Sequence, residues 1–184
     1  MAYDYQAVHA LDGTIGAISE RRANHLAVHR ATAIAMVLAA PGRTAEAAGI
    51  LVADGAFEAR FSGPGEWLAL SEVHAPETLA AELAVRLGDF AYVVDQSHGR
   101  VALTLSGPHV ARILANGIAA DLHPAAFPVG RAANVLCNRV PVNLARTGED
   151  CFDLVVTRSF AEALVDDLKV MARSFGLSVD FATR

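Results

Sequence analysis

Between Phe57 and Leu105 the spacing of apolar residues changes period twice. Phe57, Ala59 and Phe61 alternate with Glu58 and Arg60, the two-residue period of a half-buried strand. Leu79, Leu83 and Leu87 then recur every four residues between Pro76 and Gly88, with Glu82 and Arg86 turned outward. That is an amphipathic helix with a proline at its start and a glycine at its end. Val101, Leu103 and Leu105 return to alternation against Ala102 and Thr104. A chain with both periods is neither all-helical nor all-β. Its first strand pair is joined by the short turn Ser62-Gly63-Pro64-Gly65, which suits antiparallel pairing and not a βαβ crossover.

The same signals extend along the chain. Strands are predicted over residues 32–38, 67–70, 90–94, 133–138, 140–145 and 152–156, and a helix over 45–52 with Thr44 as its N-cap. Ser106-Gly107-Pro108 switches the chain into a helix, with Ser106 or Gly107 as its cap and Pro108 at its start, carrying Val110, Ile113 and Leu114 and stopped by Asn116-Gly117. The last helix carries an S-x-x-E capping box at Ser159 and Glu162 and a stripe of Phe160, Leu164, Leu168, Met171 and Phe175. Strands and helices mixed without regular βαβ alternation predict an α+β fold, largely antiparallel, with packed helices. One domain is expected over residues 25–184, with possible lobes 25–90 and 91–184, after an irregular arm at 1–24.

Several function classes are set aside. The net charge is −5 with no basic stripe, so no nucleic-acid surface is expected. The apolar run at 31–40 is shorter than the roughly 20 residues a membrane span needs, and residues 1–20 do not read as a signal peptide. A cytoplasmic location with Cys137 and Cys151 as free thiols follows as the expectation. Of seven histidines only His25 and His29 have helical ligand spacing, and no zinc motif surrounds them, so no metal site is expected. No glycine-rich dinucleotide fingerprint follows a strand. Asp95, Ser97 and His98 share one turn, which fits a polar turn better than a nucleophile with its base. Trp67 is expected to anchor the core or a subunit interface, with a stacking platform for a pterin or flavin as the sharper alternative. Asp121, His123 and Phe127 sit in a proline-framed loop, suited either to docking or to a well-packed crossover. Arg158 either pairs with a partner's carboxylate or lies in solvent.

Five segments carry a family resemblance. They are Gly63-Pro64-Gly65-Glu66-Trp67-Leu68, residues 94–100 (VDQSHGR), Leu105-Ser106-Gly107-Pro108-His109, residues 121–128 (DLHPAAFP) and Arg158-Ser159-Phe160. In this order they resemble the sarcosine oxidase gamma-subunit family over roughly residues 56–176. That family is similar in fold to the folate-binding aminomethyltransferases of the glycine cleavage T-protein type. The resemblance implies a non-catalytic gamma chain in an assembly with alpha, beta and delta subunits, which oxidises sarcosine to glycine. It implies FAD, FMN, NAD, tetrahydrofolate and zinc on the other subunits and no cofactor on this one. It also marks Trp67, Ser106, Gly107, Pro108, Asp121, His123, Pro124, Phe127, Pro128, Arg158, Ser159 and Phe160 as interface or structural-motif residues. Folate-dependent relatives carry acidic residues near the positions matching residues 138–142 and 157–159, where this chain has none. A complex acting on a related N-methyl amino acid such as N-methylglutamate, or a free-standing folate-binding protein, are the alternatives.

Overall fold

Residues 58–71 fold as the hairpin that the alternation predicts, β3 (Glu58–Gly63) and β4 (Glu66–Ser71). In the computed structural model, which describes residues 8–16, 20–52 and 56–183, β2 (Ala33–Ala39) and β5 (Ala91–Asp95) extend the hairpin. The result is a four-stranded antiparallel sheet of order β3-β4-β2-β5. Helices α1 (Thr44–Val52) and α2 (Pro76–Leu87) cover one face. There Leu79, Leu83 and Leu87 pack with Ala33, Ala35, Val37 and Ala69. The alanines keep that layer close, and Gly88 ends α2 with a positive φ.

The second sheet has six strands. They are β1 (His25–Val28), β6 (Arg100–Ser106), β7 (Ala132–Cys137), β8 (Val140–Gly148), β9 (Cys151–Thr157) and β10 (Ser178–Phe181), in the order β10-β1-β6-β9-β8-β7. Every pairing is antiparallel except β1 with β10. Helices α3 (Val110–Ala115) and α4 (Ala161–Met171) belong with its outer face, where Ile113, Leu114, Leu164 and Leu168 join Leu103, Phe152 and Leu154 in the larger core. The inner faces of the two sheets meet through Ile34, Leu68 and Leu70 against Ala102 and Val155. Two similar lobes, each a sheet backed by helices, therefore stack sheet to sheet. The four-stranded lobe is drawn from residues 33–95, whereas the six-stranded one takes β1 and everything from β6 onward.

The fold corrects several local expectations. Ser159 is not a helix cap: it lies in a 3-10 turn (Arg158–Phe160), α4 starts at Ala161, and no side chain caps it. Phe160 leaves the buried stripe and is 45% exposed, because the 3-10 turn rotates it away from the α4 face. Ala161, Leu164, Val165, Leu168 and Met171 fill that face instead. Ser106 does not cap α3; the His109 amide donates to Asn24 Oδ1 at 3.0 Å, and Pro108 precedes the helix. The alternation in β3 is real, but its polar face is not uniformly solvent-facing: Glu58 is exposed and Arg60 is not. Arg60 points toward the second sheet and is buried, while Phe61, on an edge strand, is 49% exposed.

Part of the expected N-terminal arm, residues 1–7 and 17–19, lies outside the described residues. Residues 8–16 pack on this chain itself. Leu11 is fully buried in the larger core, Asp12 pairs with Arg30 at 2.8 Å, and Thr14 donates to Glu162.

Candidate functional site

The sheets leave a cavity of about 570 Å³ where they splay, walled by Phe57, Leu70, Ala102 and Val155. A polar chain crosses it. Arg60 Nη2 donates to Glu58 Oε2 at 2.5 Å and to Asp153 Oδ2 at 3.2 Å. The Thr104 hydroxyl donates to Asp153 Oδ1 at 2.7 Å. His29 Nε2 lies 2.8 Å from that hydroxyl, and its Nδ1 lies 2.7 Å from Glu72 Oε1. Backbone pairing places these groups: Thr104 faces Asp153 across β6 and β9, and Arg60 faces Leu68 across β3 and β4. The arrangement joins the lobes by charge-assisted bonds. Asp153 has a partner on each carboxylate oxygen, so the cavity holds no idle base there. Arg60 Nε and Nη1 are buried without a partner among the described residues.

Two Ser–His–acid sets occur, neither visible in the sequence. Ser71 Oγ lies 2.8 Å from His74 Nδ1, and His74 Nε2 lies 3.1 Å from Glu82. Ser178 Oγ lies 2.9 Å from His25 Nδ1, and His25 Nε2 lies 2.9 Å from Asp180. Both hydroxyls are already committed to backbone. Ser71 Oγ accepts the amides of Val73 and His74 and donates to the Ala56 carbonyl; Ser178 Oγ accepts the Arg22 amide. Such oxygens pin turns and strand ends, the role of short polar side chains near backbone donors. Burial holds the His25 pKa below its ordinary value, against the pull of Asp180. In the 95–99 turn Asp95 accepts both the amide and the hydroxyl of Ser97, while the Ile34 amide donates to Ser97 Oγ. The polar-turn expectation for that segment holds.

The motif residues do not gather at one place. Trp67 is half-buried in the cluster beneath α1 and α2, opposite Val37. Gly107 adopts φ 130°, and a Cβ there would lie 2.2 Å from the Ala23 carbonyl, so the chain crossing requires glycine. Its amide donates to Asp150 O at 2.9 Å. In the proline-framed loop Asp121 Oδ1 accepts the His123 amide, and the Phe127 amide donates to the His123 carbonyl. Phe127 is buried against Phe152, while Pro124 and Pro128 are exposed. What fixes this loop is Arg146, buried, whose Nη1 donates to the carbonyls of Leu122 and Phe127. Sequence reasoning missed it because Arg146 reads as one polar residue just past the strand predicted at 140–145. Ser106 and Gly107 stand at the β9-start end of the sheet, where Ser106 pairs with Cys151. Arg158 and Ser159 stand at the opposite end, beyond Arg100 paired with Thr157. Arg158 donates to the Val8 carbonyl. Cys137 and Cys151 are free thiols, and burial beside Asp167 pushes the Cys137 pKa up to about 11. Among the described residues no three metal-capable side chains gather, and no helix is long and apolar enough to cross a membrane.

Residues 24–171 match the profile of the sarcosine oxidase, gamma subunit family. Sarcosine oxidase subunit gamma from Arthrobacter sp. is 39% identical over 140 residues, covering 74% of this chain and 66% of the relative. That from Corynebacterium sp. (strain P-1) is 43% identical over 106 residues, covering 56% and 50%. The match thus spans about half to two-thirds of these curated relatives. Among solved structures, a chain of the heterotetrameric sarcosine oxidase from Corynebacterium sp. U-96 superposes with a TM-score of 0.74 at 29% identity, over 90% of this chain and 91% of that one. Aminomethyltransferase T of the Bartonella henselae glycine cleavage system superposes with a TM-score of 0.61 at 17% identity, over 86% of this chain and 48% of that one, a likeness of fold alone.

Proposed function

Because this chain belongs to the sarcosine oxidase gamma subunit family, we propose that it is the non-catalytic gamma chain of a heterotetrameric oxidase. The partners are alpha, beta and delta subunits in the cytoplasm. The assembled enzyme converts sarcosine, dioxygen and tetrahydrofolate into glycine, hydrogen peroxide and 5,10-methylenetetrahydrofolate. FAD, FMN, NAD, tetrahydrofolate and zinc sit on the other chains. The observation that carries this reading is the nearly end-to-end superposition on a chain of a heterotetrameric sarcosine oxidase, at 90% and 91% coverage.

The site chemistry supports the non-catalytic part. Handling a one-carbon iminium needs a carboxylate placed to stabilise cation or accept a proton. Thr157-Arg158-Ser159 offers none, and Asp153 is held by Arg60 and Thr104. The motif residues instead fix backbone crossings, as Gly107 does, or stand exposed, as Phe160, Pro124 and Pro128 do. A rigid chain with exposed apolar side chains at several ends suits burial against other polypeptides.

Expression alone and beside the neighbouring chains, followed by native mass and oxygen uptake on sarcosine, tests this. Alone, the chain is expected to be colourless and inactive; together, it is expected to co-purify in a flavin-bearing complex that consumes oxygen. One-carbon transfer to tetrahydrofolate by the isolated chain, or failure to enter the complex, overturns the proposal.

A further inference from the structure

A second cleft, of about 530 Å³, lies between the lobes where the N-terminal segment crosses the 97–100 turn. Its lining contains Arg30, Arg100 and Arg158 with His9, His29 and His98, and among the described residues no aspartate or glutamate. That is unexpected in a chain of net charge −5. Charge of one sign between low-dielectric walls concentrates counter-ions.

Counting partners defines what the cleft lacks. Arg30 is neutralised by Asp12 at 2.8 Å and lies over the Phe181 ring. Asp95 is occupied by Ser97. Glu162 lines an adjoining depression and takes the Thr14 hydroxyl. Arg158 has the neutral Val8 carbonyl as its acceptor. Arg100 Nε is buried and has no partner among the described residues, and burial draws the Arg100 pKa down. Arg100 is half-buried, and a guanidinium drawn partly out of water without a counter-charge is costly. The backbone nonetheless holds both side chains in place: Arg100 pairs with Thr157 across β6 and β9, and the Arg158 amide donates to the Gly99 carbonyl at 2.9 Å. Among the described residues, two cations, Arg100 and Arg158, thus stand without a carboxylate on a fixed frame.

We propose that this inter-lobe cleft is a binding site for a small organic dianion, carrying two carboxylates or a phosphate group, held between Arg100 and Arg158. The volume lies within the range of small-molecule sites. Guanidinium groups suit both oxyanions, since each presents paired N–H donors in a plane. The site is independent of the subunit role, because it is built from this chain alone.

Calorimetric titration of the full chain with inorganic pyrophosphate and, separately, with glutarate tests the site at low and high salt. Saturable binding of at least one is expected, weakening with added sodium chloride. Preference for pyrophosphate marks a phosphate source and preference for glutarate a dicarboxylate. Arg158→Gln and Arg100→Gln are each expected to weaken it at least tenfold, and Arg173→Gln, at an exposed position beyond α4, to leave it unchanged. Arg158 is exposed, so its variant carries the test even where Arg100→Gln does not fold. No saturable binding of either probe at millimolar concentration, or equal binding by wild type and Arg158→Gln, overturns the assignment.

Discussion

At Arg60 a guanidinium is enclosed between two sheets with only Nη2 engaged. Removing one member of such a pair leaves the other without its charge and opens a void. Asp153 and Glu58 keep some access to solvent, which reduces the electrostatic share. Arg60→Ala is therefore expected to lower stability by about 2–3 kcal/mol, and Arg60→Met, which refills the volume, to regain about half; urea midpoints measure both. His25 gives a pH dependence with a definite sign. Burial disfavours its imidazolium, so its folded-state pKa lies below 6.5, the ordinary value. The unfolded chain then binds the proton more readily, and stability falls as pH drops below 6.5 toward the lower folded pKa. His9 is shifted the same way, chiefly by burial. His25→Gln is expected to flatten part of the loss in urea midpoint between pH 7.5 and 5.5, and an unchanged slope would show that His25 titrates freely in the fold.

Among the elements, α4 makes the contrast between sequence signal and structure most useful. Its capping box is present in the sequence and unmade in the fold, so Ser159→Ala is expected to change stability by less than about 0.5 kcal/mol, read as equal melting temperatures. Leu164, fully buried, lies on the face that the sequence periodicity located. Leu164→Asp would bury a lone carboxylate there, and loss of soluble, cooperatively folding protein is expected. The hairpin, α2 and strands β6 to β9 of the second sheet were legible because each repeats one period over enough residues. Strands β1 and β10, four residues each, are too short for alternation to register, and their mutual parallel pairing has no local signal. Alternation in β3 showed two faces but could not show that Arg60, on the polar one, is buried, which depends on a sheet from elsewhere in the chain. The loop at 121–128 was legible from its breakers; its Arg146 anchor, and the partners of His25 and His29, arise from contacts distant in sequence and were not.

For the whole molecule, the lobes are tied at one flank by two asparagines. Asn143 Nδ2 donates to the Phe61 carbonyl at 2.9 Å and to Asn134 Oδ1 at 2.8 Å, and Asn134 Nδ2 donates to the Ser62 carbonyl at 2.5 Å. These bonds seal the outer edge of β3 against β7 and β8, an edge otherwise open to adventitious strand pairing. Asn143→Ala is expected to cost about 1–3 kcal/mol, since two acceptors lose their donor, and to speed hydrogen exchange in β3 more than in β6. The seating of β1 in the far sheet also sets an order of events during synthesis. The four-stranded lobe is one unbroken stretch of polypeptide and completes as soon as β5 has left the ribosome. His25–Val28, made earlier, has no neighbour until Arg100–Ser106 emerges, seconds later at about 5–20 residues per second. Its other neighbour, Ser178–Phe181, is made later still. A nascent chain of this kind carries His25–Val28 as a loose end, flanked on both sides only once Ser178–Phe181 has been made.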